Sequence, residues 1–218
     1  AAQATELMVR LLRERSAFEA NLFEENNGLI LAASVFPYFY ALMGERNPKL
    51  APKPGARSAY SQLACDAYAV IHREGALSKQ KLLEKLGGGT STPALDKALA
   101  ELWSKLRLTR VDYRASEGSV WDLLYRWAPE PVKEGVGLSV PEALSALVSK
   151  YLDCVIAAEP SELETFFGNF VARSKIKEAI NALLAARELS FLHVSGKSML
   201  QITPEKVVPV PSPRTAAR

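Results

Sequence analysis

Apolar residues recur every three to four positions, with one longer step, at the start of the chain. This spacing predicts a long N-terminal amphipathic helix. Its apolar positions are Leu7, Met8, Leu11, Leu12, Phe18 and Leu22. The apolar run 28–35 that follows fits either a strand or a buried turn of helix. Pro37 and Gly44 then mark the beginning and the end of a further helix, and the three prolines of segment 45–57 indicate a linker.

A regular order of elements begins after this linker and fills residues 58–128. It consists of three helical patterns followed by two strand-like runs joined by a turn. The predicted elements are a helix over 60–71, a short helix capped by Ser78 and ended by three glycines, a helix opened by Thr92 and Pro93, and strands over 108–113 and 120–127.

The same order returns in residues 139–203, after a second predicted linker over 129–138. The pairs Ser139 with Glu142 and Ser161 with Glu164 have the spacing of capping boxes. Helices are predicted through 144–155, 163–167 and 172–186, and strands over 189–194 and 199–203. Leu108 in the first copy corresponds to Leu189 in the second, an offset of 81 residues.

Two compact copies of one unit predict a helix-rich α+β fold. We predict an N-terminal helical segment and linker over 1–57, two domains over 58–128 and 139–203, and a proline-rich flexible tail over 204–218. Three helices followed by a two-stranded hairpin are the plan of the winged helix-turn-helix. The sequence therefore predicts tandem winged helices, a fold that suits duplex DNA because its third helix fits the major groove.

Composition removes several classes of protein. The net charge of +3 and the pI of about 8.8 exclude a polycation and an acidic disordered chain. Cys65 and Cys154 lie in apolar helical stretches and are expected to be buried, reduced thiols, and with only His72 and His193 we expect no metal site. No window is apolar enough to span a membrane and residues 1–4 do not open a signal peptide, so we expect a cytoplasmic protein with no membrane partner.

The third helix of the second copy carries the stronger candidate for DNA contact. Its segment 173–187 holds four cations and one acidic residue, and the predicted wing tip adds a lysine. The candidate residues are Arg173, Ser174, Lys175, Lys177 and Lys197. Cations at a helix start oppose the helix dipole, which a bound phosphate would explain. A solvated charged face is the alternative.

The first copy carries a weaker set of candidates. They are Ser91, Thr92 and Lys97 on the third helix, and Arg110 and Arg114 on the strand after it. Together with Arg107, the two strand arginines predict a basic stripe near the wing. Helix capping is the alternative reading of Ser91 and Thr92. Trp103, Trp121 and Trp127 are assigned to core and hairpin packing rather than to base stacking.

The hexapeptide Pro37-Tyr38-Phe39-Tyr40-Ala41-Leu42, the stretch from Ala94 to Leu106 and the hairpin after it resemble the AlkZ/YcaQ-like winged-helix proteins, and more narrowly their AlkZ-related branch. The resemblance runs over about residues 30–203. It implies a bacterial protein whose tandem winged helices hold duplex DNA, and the enzymes of the family excise alkylated or crosslinked bases. Their catalytic signature is a Gln-x-Gln motif. No two glutamines stand two residues apart here; they are Gln3, Gln62, Gln80 and Gln201.

We therefore predict a non-enzymatic protein that binds double-stranded DNA mainly through phosphate contacts, with no catalytic residue and no cofactor. Two alternatives stay open. One is an interaction scaffold or homodimer built from winged helices, which would dock its partner on the N-terminal helix with Tyr38 and Tyr40. The other is a divergent glycosylase for alkylated bases.

Overall fold

The computed structural model describes residues 2–23, 28–55 and 58–204. The chain begins with helix α1 (Ala2–Arg13), a hairpin of strands β1 (Ala17–Ala20) and β2 (Leu29–Ala32), and helix α2 (Phe36–Met43). Of the two interpretations of the run 28–35, the strand is the one that forms, and the helix predicted between Pro37 and Gly44 is confirmed.

The prediction of one long helix from Leu7 to Leu22 is wrong. Helix α1 ends at Arg13, and Arg15 turns the chain with a positive φ of 57°. All four residues of β1 are buried, and Phe18 pairs with Leu31 of β2. A strand that is buried on both faces can have apolar residues at consecutive positions. Some of these positions match the spacing of the preceding helix, so the strand was read as its continuation.

The first repeat contains the predicted order of three helices and a hairpin. Its elements are α3 (Gln62–Glu74), β3 (Leu77–Ser78), α4 (Lys79–Leu86), α5 (Thr92–Ser104), β4 (Leu108–Arg114) and β5 (Gly118–Leu123). The strands form an antiparallel sheet in the order β3-β5-β4. Ser78 caps α4 as predicted, whereas α5 is capped by Ser91 and not by Thr92. The second strand ends at Leu123, and helix α6 (Leu124–Trp127) follows it.

Helix α7 (Pro129–Gly137) occupies the segment predicted as a second linker, so that prediction is wrong. Pro129 suits a first helical turn, where its missing N–H has no intrahelical acceptor. Gly135 lies against α2, and a Cβ there would meet the carbonyl oxygen of Pro37 at 2.7 Å. Glycine at this position therefore permits close packing of two helices, which the pattern of punctuating prolines and glycines did not indicate.

The second repeat reproduces the topology of the first. Its elements are α8 (Val140–Val155), β6 (Ala157–Ala158), α9 (Pro160–Phe167), α10 (Arg173–Ala185), β7 (Leu189–Val194) and β8 (Lys197–Ile202), with the sheet order β6-β8-β7. The capping box of Ser139 with Glu142 is confirmed. The second predicted box is wrong, because Glu159 and Glu162 form it in place of Ser161 and Glu164. The predicted tail lies outside the described residues from 205 onward.

The offset of 81 residues holds at equivalent helix ends of the two repeats. Ser78 and Glu159 are the N-caps of α4 and α9, and Ser91 and Ala172 are those of α5 and α10. The C-caps of α3 and α8 are Gly75 and Ile156. The repeat read from the sequence is therefore a structural repeat.

The described residues 2–23, 28–55 and 58–204 form two hydrophobic cores. The first repeat has its own core, whereas the second repeat shares a core with the N-terminal segment through Phe18, Phe36 and Tyr40. The prediction of two buried thiols is wrong, since Cys65 is half-buried and Cys154 is exposed. The N-terminal segment also contacts the first repeat through α1, β1 and β4. Strand β1 therefore contacts strand β4 of the first repeat and contributes Phe18 to the core that it shares with the second repeat.

Candidate functional site

The predicted DNA-contact residues of the second repeat are exposed, and three of the cations lie beside carboxylates. Nζ of Lys175 is 2.8 Å from Glu178, and Nζ of Lys177 is 3.8 Å from Glu164. Lys197 contacts Glu159, and this hydrogen bond raises the pKa of the Lys197 ammonium. Arg173 and Ser174 occupy the first positions of α10 and are exposed.

The predicted residues of the first repeat differ from one another in their surroundings. Oγ of Ser91 accepts a hydrogen bond from the Ala94 N–H at 3.3 Å, so this hydroxyl caps α5. Thr92 and Lys97 are exposed on α5. Arg114 is exposed and its Nη1 is 3.0 Å from Glu117.

Arg107 does not belong to an exposed basic stripe, so that part of the prediction is wrong. Its side chain is buried, with Nη1 3.2 Å from Oε2 of Glu45 and a hydrogen bond to the Leu50 carbonyl. The guanidinium also lies 5.1 Å from the ring centre of Tyr68. These contacts fasten segment 45–50 to the first repeat.

Arg110 is the centre of a mixed ionic and aromatic cluster. Its Nη1 lies 2.7 Å from Oε1 of Glu19 on strand β1. Arg110 pairs with Trp121 across the β4–β5 ladder, and its guanidinium lies 5.1 Å from the Trp121 ring and 4.5 Å from the Trp103 ring. The two indoles meet edge to face at 5.2 Å. We call Glu19, Arg110, Trp103 and Trp121 the Glu19 cluster.

Both tryptophans of the Glu19 cluster are buried, which confirms their assignment to packing. Trp103 also has a polar role, because its Nε1 donates a hydrogen bond to the backbone carbonyl of Glu19 at 3.0 Å. Oγ1 of Thr109 donates to the same carbonyl at 2.9 Å. Two donors from the first repeat therefore fix the backbone of β1 at the residue that carries the carboxylate.

The Glu19 carboxylate is buried, with 5% of the residue exposed. Burial raises the pKa of this carboxyl group above its usual value, and the opposing attraction of Arg110 is the smaller effect. Oε1 is held by Arg110, whereas Oε2 is buried without a hydrogen-bond partner among the described residues. A buried acceptor without a partner is costly in a folded protein.

Two clefts adjoin the Glu19 cluster. A cleft of about 1300 Å³ lies between α1 and the β4–β5 hairpin and is lined by Glu19, Arg110 and Tyr113 among others. A second cleft, of about 880 Å³, is lined by Trp103, Trp121 and Arg110. Asn21 and two exposed lysines, Lys97 of α5 and its C-cap residue Lys105, also line it. Arg110 lines both clefts, so it stands where they meet.

Glu19 is not among the predicted site residues, because the catalytic signature implied by the family resemblance is a pair of glutamines. Glu19 and Asn21 are polar residues two positions apart inside the apolar stretch 17–23. Both are buried. A search for any pair of hydrogen-bonding side chains at that spacing within an apolar run would have found them, although not the partners that they meet.

Three further observations concern the described residues. No group of three His, Cys, Asp or Glu side chains that could hold a metal ion occurs within 2–23, 28–55 and 58–204. In the same part of the chain, no helix has the length and apolar character needed to cross a membrane. The charged groups at the Glu19 cluster are one carboxylate and one guanidinium.

Comparison with known proteins places the chain in a family. Residues 2–218 match the family model described as DNA glycosylase AlkZ-like. The chain belongs to this AlkZ-like family, which confirms the resemblance seen in the sequence. No curated protein and no solved structure matches the chain.

Proposed function

We propose that this protein binds duplex DNA through two winged helices. The observation that carries the proposal is the repeated topology: in each repeat a third helix follows a short connection and precedes a hairpin, and the hairpin's second strand is central in the sheet. This is the arrangement in which a helix enters the major groove and a wing reaches the adjoining backbone. Membership of a DNA glycosylase-like family supports DNA as the partner.

The charge distribution favours the first repeat as the tighter contact. Lys97 on α5 and Lys105, the C-cap residue just after it, are exposed and line the second cleft, and no ion pair engages them within the described residues. Lys175, Lys177 and Lys197 of the second repeat each lie near a carboxylate. A phosphate must compete with that carboxylate for the ammonium group, so we expect these three lysines to contribute less to affinity.

Binding is tested by fluorescence anisotropy of a labelled 20-base-pair duplex at several salt concentrations. We expect affinity to fall steeply with salt, and the double variant Lys97→Glu, Lys105→Glu to bind at least about tenfold more weakly with a shallower salt slope. The matched control is Lys133→Glu with Lys150→Glu, two exposed lysines on α7 and α8 that change the net charge equally. Equal losses in both double variants would mean that only total charge matters and would contradict the proposed surface.

Base excision is the second candidate function, and the buried carboxylate of Glu19 beside a cleft is the observation that favours it. We expected a non-enzymatic protein because the Gln-x-Gln motif is missing. That absence does not exclude a catalytic carboxylate such as Glu19. Release of free base from a duplex containing one N7-methylguanine, followed by chromatography, tests this candidate. No release with enzyme in large excess would contradict it.

The scaffold alternative loses one of its supports in the structure. Tyr40, expected to help dock a partner, is buried and donates a hydrogen bond to the Glu45 carbonyl oxygen at 3.2 Å. Leu7 of α1 is exposed, but a single apolar side chain does not form a docking surface.

A further inference from the structure

We propose that strand β7 pairs with strand β7 of a second copy of this chain, which makes the protein a homodimer. The surface concerned is the outer edge of β7, the side of the strand that faces away from β8. The pairing would join the three-stranded sheets of two second repeats into one continuous antiparallel sheet. Such a dimer goes beyond DNA binding and does not depend on it.

The equivalent edge strand of the first repeat, β4, is covered by the N-terminal segment. Helix α1 and strand β1 both contact β4, and Oγ1 of Thr109 donates a hydrogen bond to the Glu19 carbonyl. The main contacts of β7 are instead with β8 and α10 of its own repeat, and among the described residues no strand pairs with its outer edge. An edge of this kind offers unpaired N–H and C=O groups to another strand.

Strand β7 also lacks the features that usually keep an edge strand from pairing. Strand β4 has a bulge between Arg110 and Asp112, and both of these residues are charged. Strand β7 pairs with β8 in an unbroken register from Leu189 to Val194, and none of its residues is a proline, a lysine, an arginine or an acid. Bulges, prolines and charges are the common means of blocking an edge, so β7 is open to pairing.

Apolar side chains of β7 remain exposed in the single chain. Phe191 is 51% exposed and Val194 is 45% exposed. The core of the second repeat includes Leu189 and Leu200, but Phe191 and Leu192 are not among its members or the residues packed against it. A second strand added at this edge would therefore bury apolar surface as well as pair the backbone.

The backbone hydrogen bonds determine which residues face the free edge. The Thr203 N–H donates to the Glu188 carbonyl at 2.9 Å, so Glu188 and every second residue after it direct their backbone groups towards β8. The backbone groups of Leu189, Phe191 and His193 therefore point outwards. An antiparallel pair with a twofold axis at Phe191 uses all of these groups, because Phe191 faces Phe191 and Leu189 faces His193.

The absence of charge favours a second copy of the chain as the occupant of this edge. In a twofold pair the central residue of a strand meets its own counterpart, so a charged residue there would face a like charge. The central residue of β7 is Phe191. At the equivalent position, 81 residues earlier, β4 has Arg110. One pairing uses the free edge of both copies, so the assembly closes as a dimer.

Sedimentation velocity of the full chain without DNA tests the dimer. A contact made by two short strands is smaller than a standard interface, so we expect a weak dimer that forms as the protein concentration rises from about 1 to about 200 μM. Phe191→Lys should remain a monomer over this range, because two ammonium groups would meet at the axis. Tyr113→Lys is the matched control. Tyr113 is an aromatic residue of β4 with 45% exposure, and its substitution changes the net charge equally while leaving the dimer intact.

A charge exchange at position 191 tests the register of the pair. Phe191→Glu should also be a monomer, whereas an equimolar mixture of Phe191→Lys and Phe191→Glu should form a heterodimer, since opposite charges then meet. Recovery in the mixture also shows that both variants are folded.

Three results would contradict the inference. A wild type that stays a monomer at every concentration would overturn the dimer, and dimers of Phe191→Lys as stable as those of the wild type would overturn β7 as the interface. A mixture that fails to associate would overturn the twofold pair at Phe191. Duplex binding, measured by anisotropy on the same samples, decides the proposed function separately.

Discussion

Gly28 lies so close to the Glu19 carboxylate that position 28 has no room for a side chain. A Cβ at position 28 would overlap Oε1 of Glu19 and would lie 3.0 Å from Cη2 of Trp103. Glu19 cannot simply rotate away, because Arg110 and the buried surroundings of β1 fix it. The absence of a side chain at position 28 is thus part of the construction of the Glu19 cluster.

Substitution Gly28→Ala should therefore destabilise the protein. We expect the free energy of unfolding to fall by about 1–3 kcal/mol, as in other overpacked sites, measured by urea unfolding. Gly137→Ala is the control, since a Cβ there has nothing within 4 Å and Gly137 lies on the exposed end of α7. An unchanged stability of Gly28→Ala would show that the cluster relaxes freely and is not rigid.

Glu19 should also make stability depend on pH in a defined direction. Its folded-state pKa is raised, so the protonated form is favoured by folding. The corresponding stability is fully present below the ordinary pKa and is lost as pH rises through the raised value. The difference in unfolding free energy, wild type minus Glu19→Gln, should therefore fall as pH rises through and above the ordinary carboxyl value of 4.5. A difference that rises over this range would mean that Arg110 outweighs burial.

Arg107 should be a strong anchor of segment 45–50, unlike the exposed arginines near it. Substitution Arg107→Met removes charged hydrogen bonds to Glu45 and to the Leu50 carbonyl, and we expect a loss of about 2 kcal/mol in unfolding free energy. Arg114→Met, which breaks the exposed pair with Glu117, should cost less than about 1 kcal/mol. Similar losses of unfolding free energy in the two variants would mean that the buried contacts of Arg107 do not stabilise segment 45–50 more than an exposed ion pair would.

Local signals in the sequence predicted the parts of the fold that local contacts determine. Ser78 caps α4, Ser139 and Glu142 form their box, and Gly44 ends α2, and in each case the bonded groups lie within four residues. Helix α7 was missed because its packing against α2 depends on Gly135 meeting Pro37, which is distant in the sequence.

The Glu19 cluster could not be predicted for the same reason. Its bonds join residues that are 84, 90 and 91 positions apart, from Glu19 to Trp103, Thr109 and Arg110. The sequence assigned Arg110 to a DNA-contact stripe from its neighbours alone. In the structure its guanidinium is shared between a buried carboxylate and two indoles, which only the folded arrangement of β1 against β4 produces.

Ile156 has a positive φ at a position where the first repeat has a glycine. It ends α8 with φ 72° and ψ −51°, close to a rare γ-turn conformation that is strained for a β-branched residue. Its counterpart in the first repeat is Gly75, with φ 94°. The Ile156 side chain is 78% exposed, so little packing is lost on its removal.

Ile156→Gly should therefore stabilise the protein, unlike most substitutions. Relief of about 1–2 kcal/mol of backbone strain exceeds the entropy of about 0.5–1 kcal/mol that glycine adds to the unfolded chain, for a net gain of about 0.5–1 kcal/mol. The reverse change at the equivalent position, Gly75→Ile, should lower stability by at least as much, and urea unfolding measures both. A loss of stability in Ile156→Gly would show that the exposed side chain makes contacts that outweigh the strain.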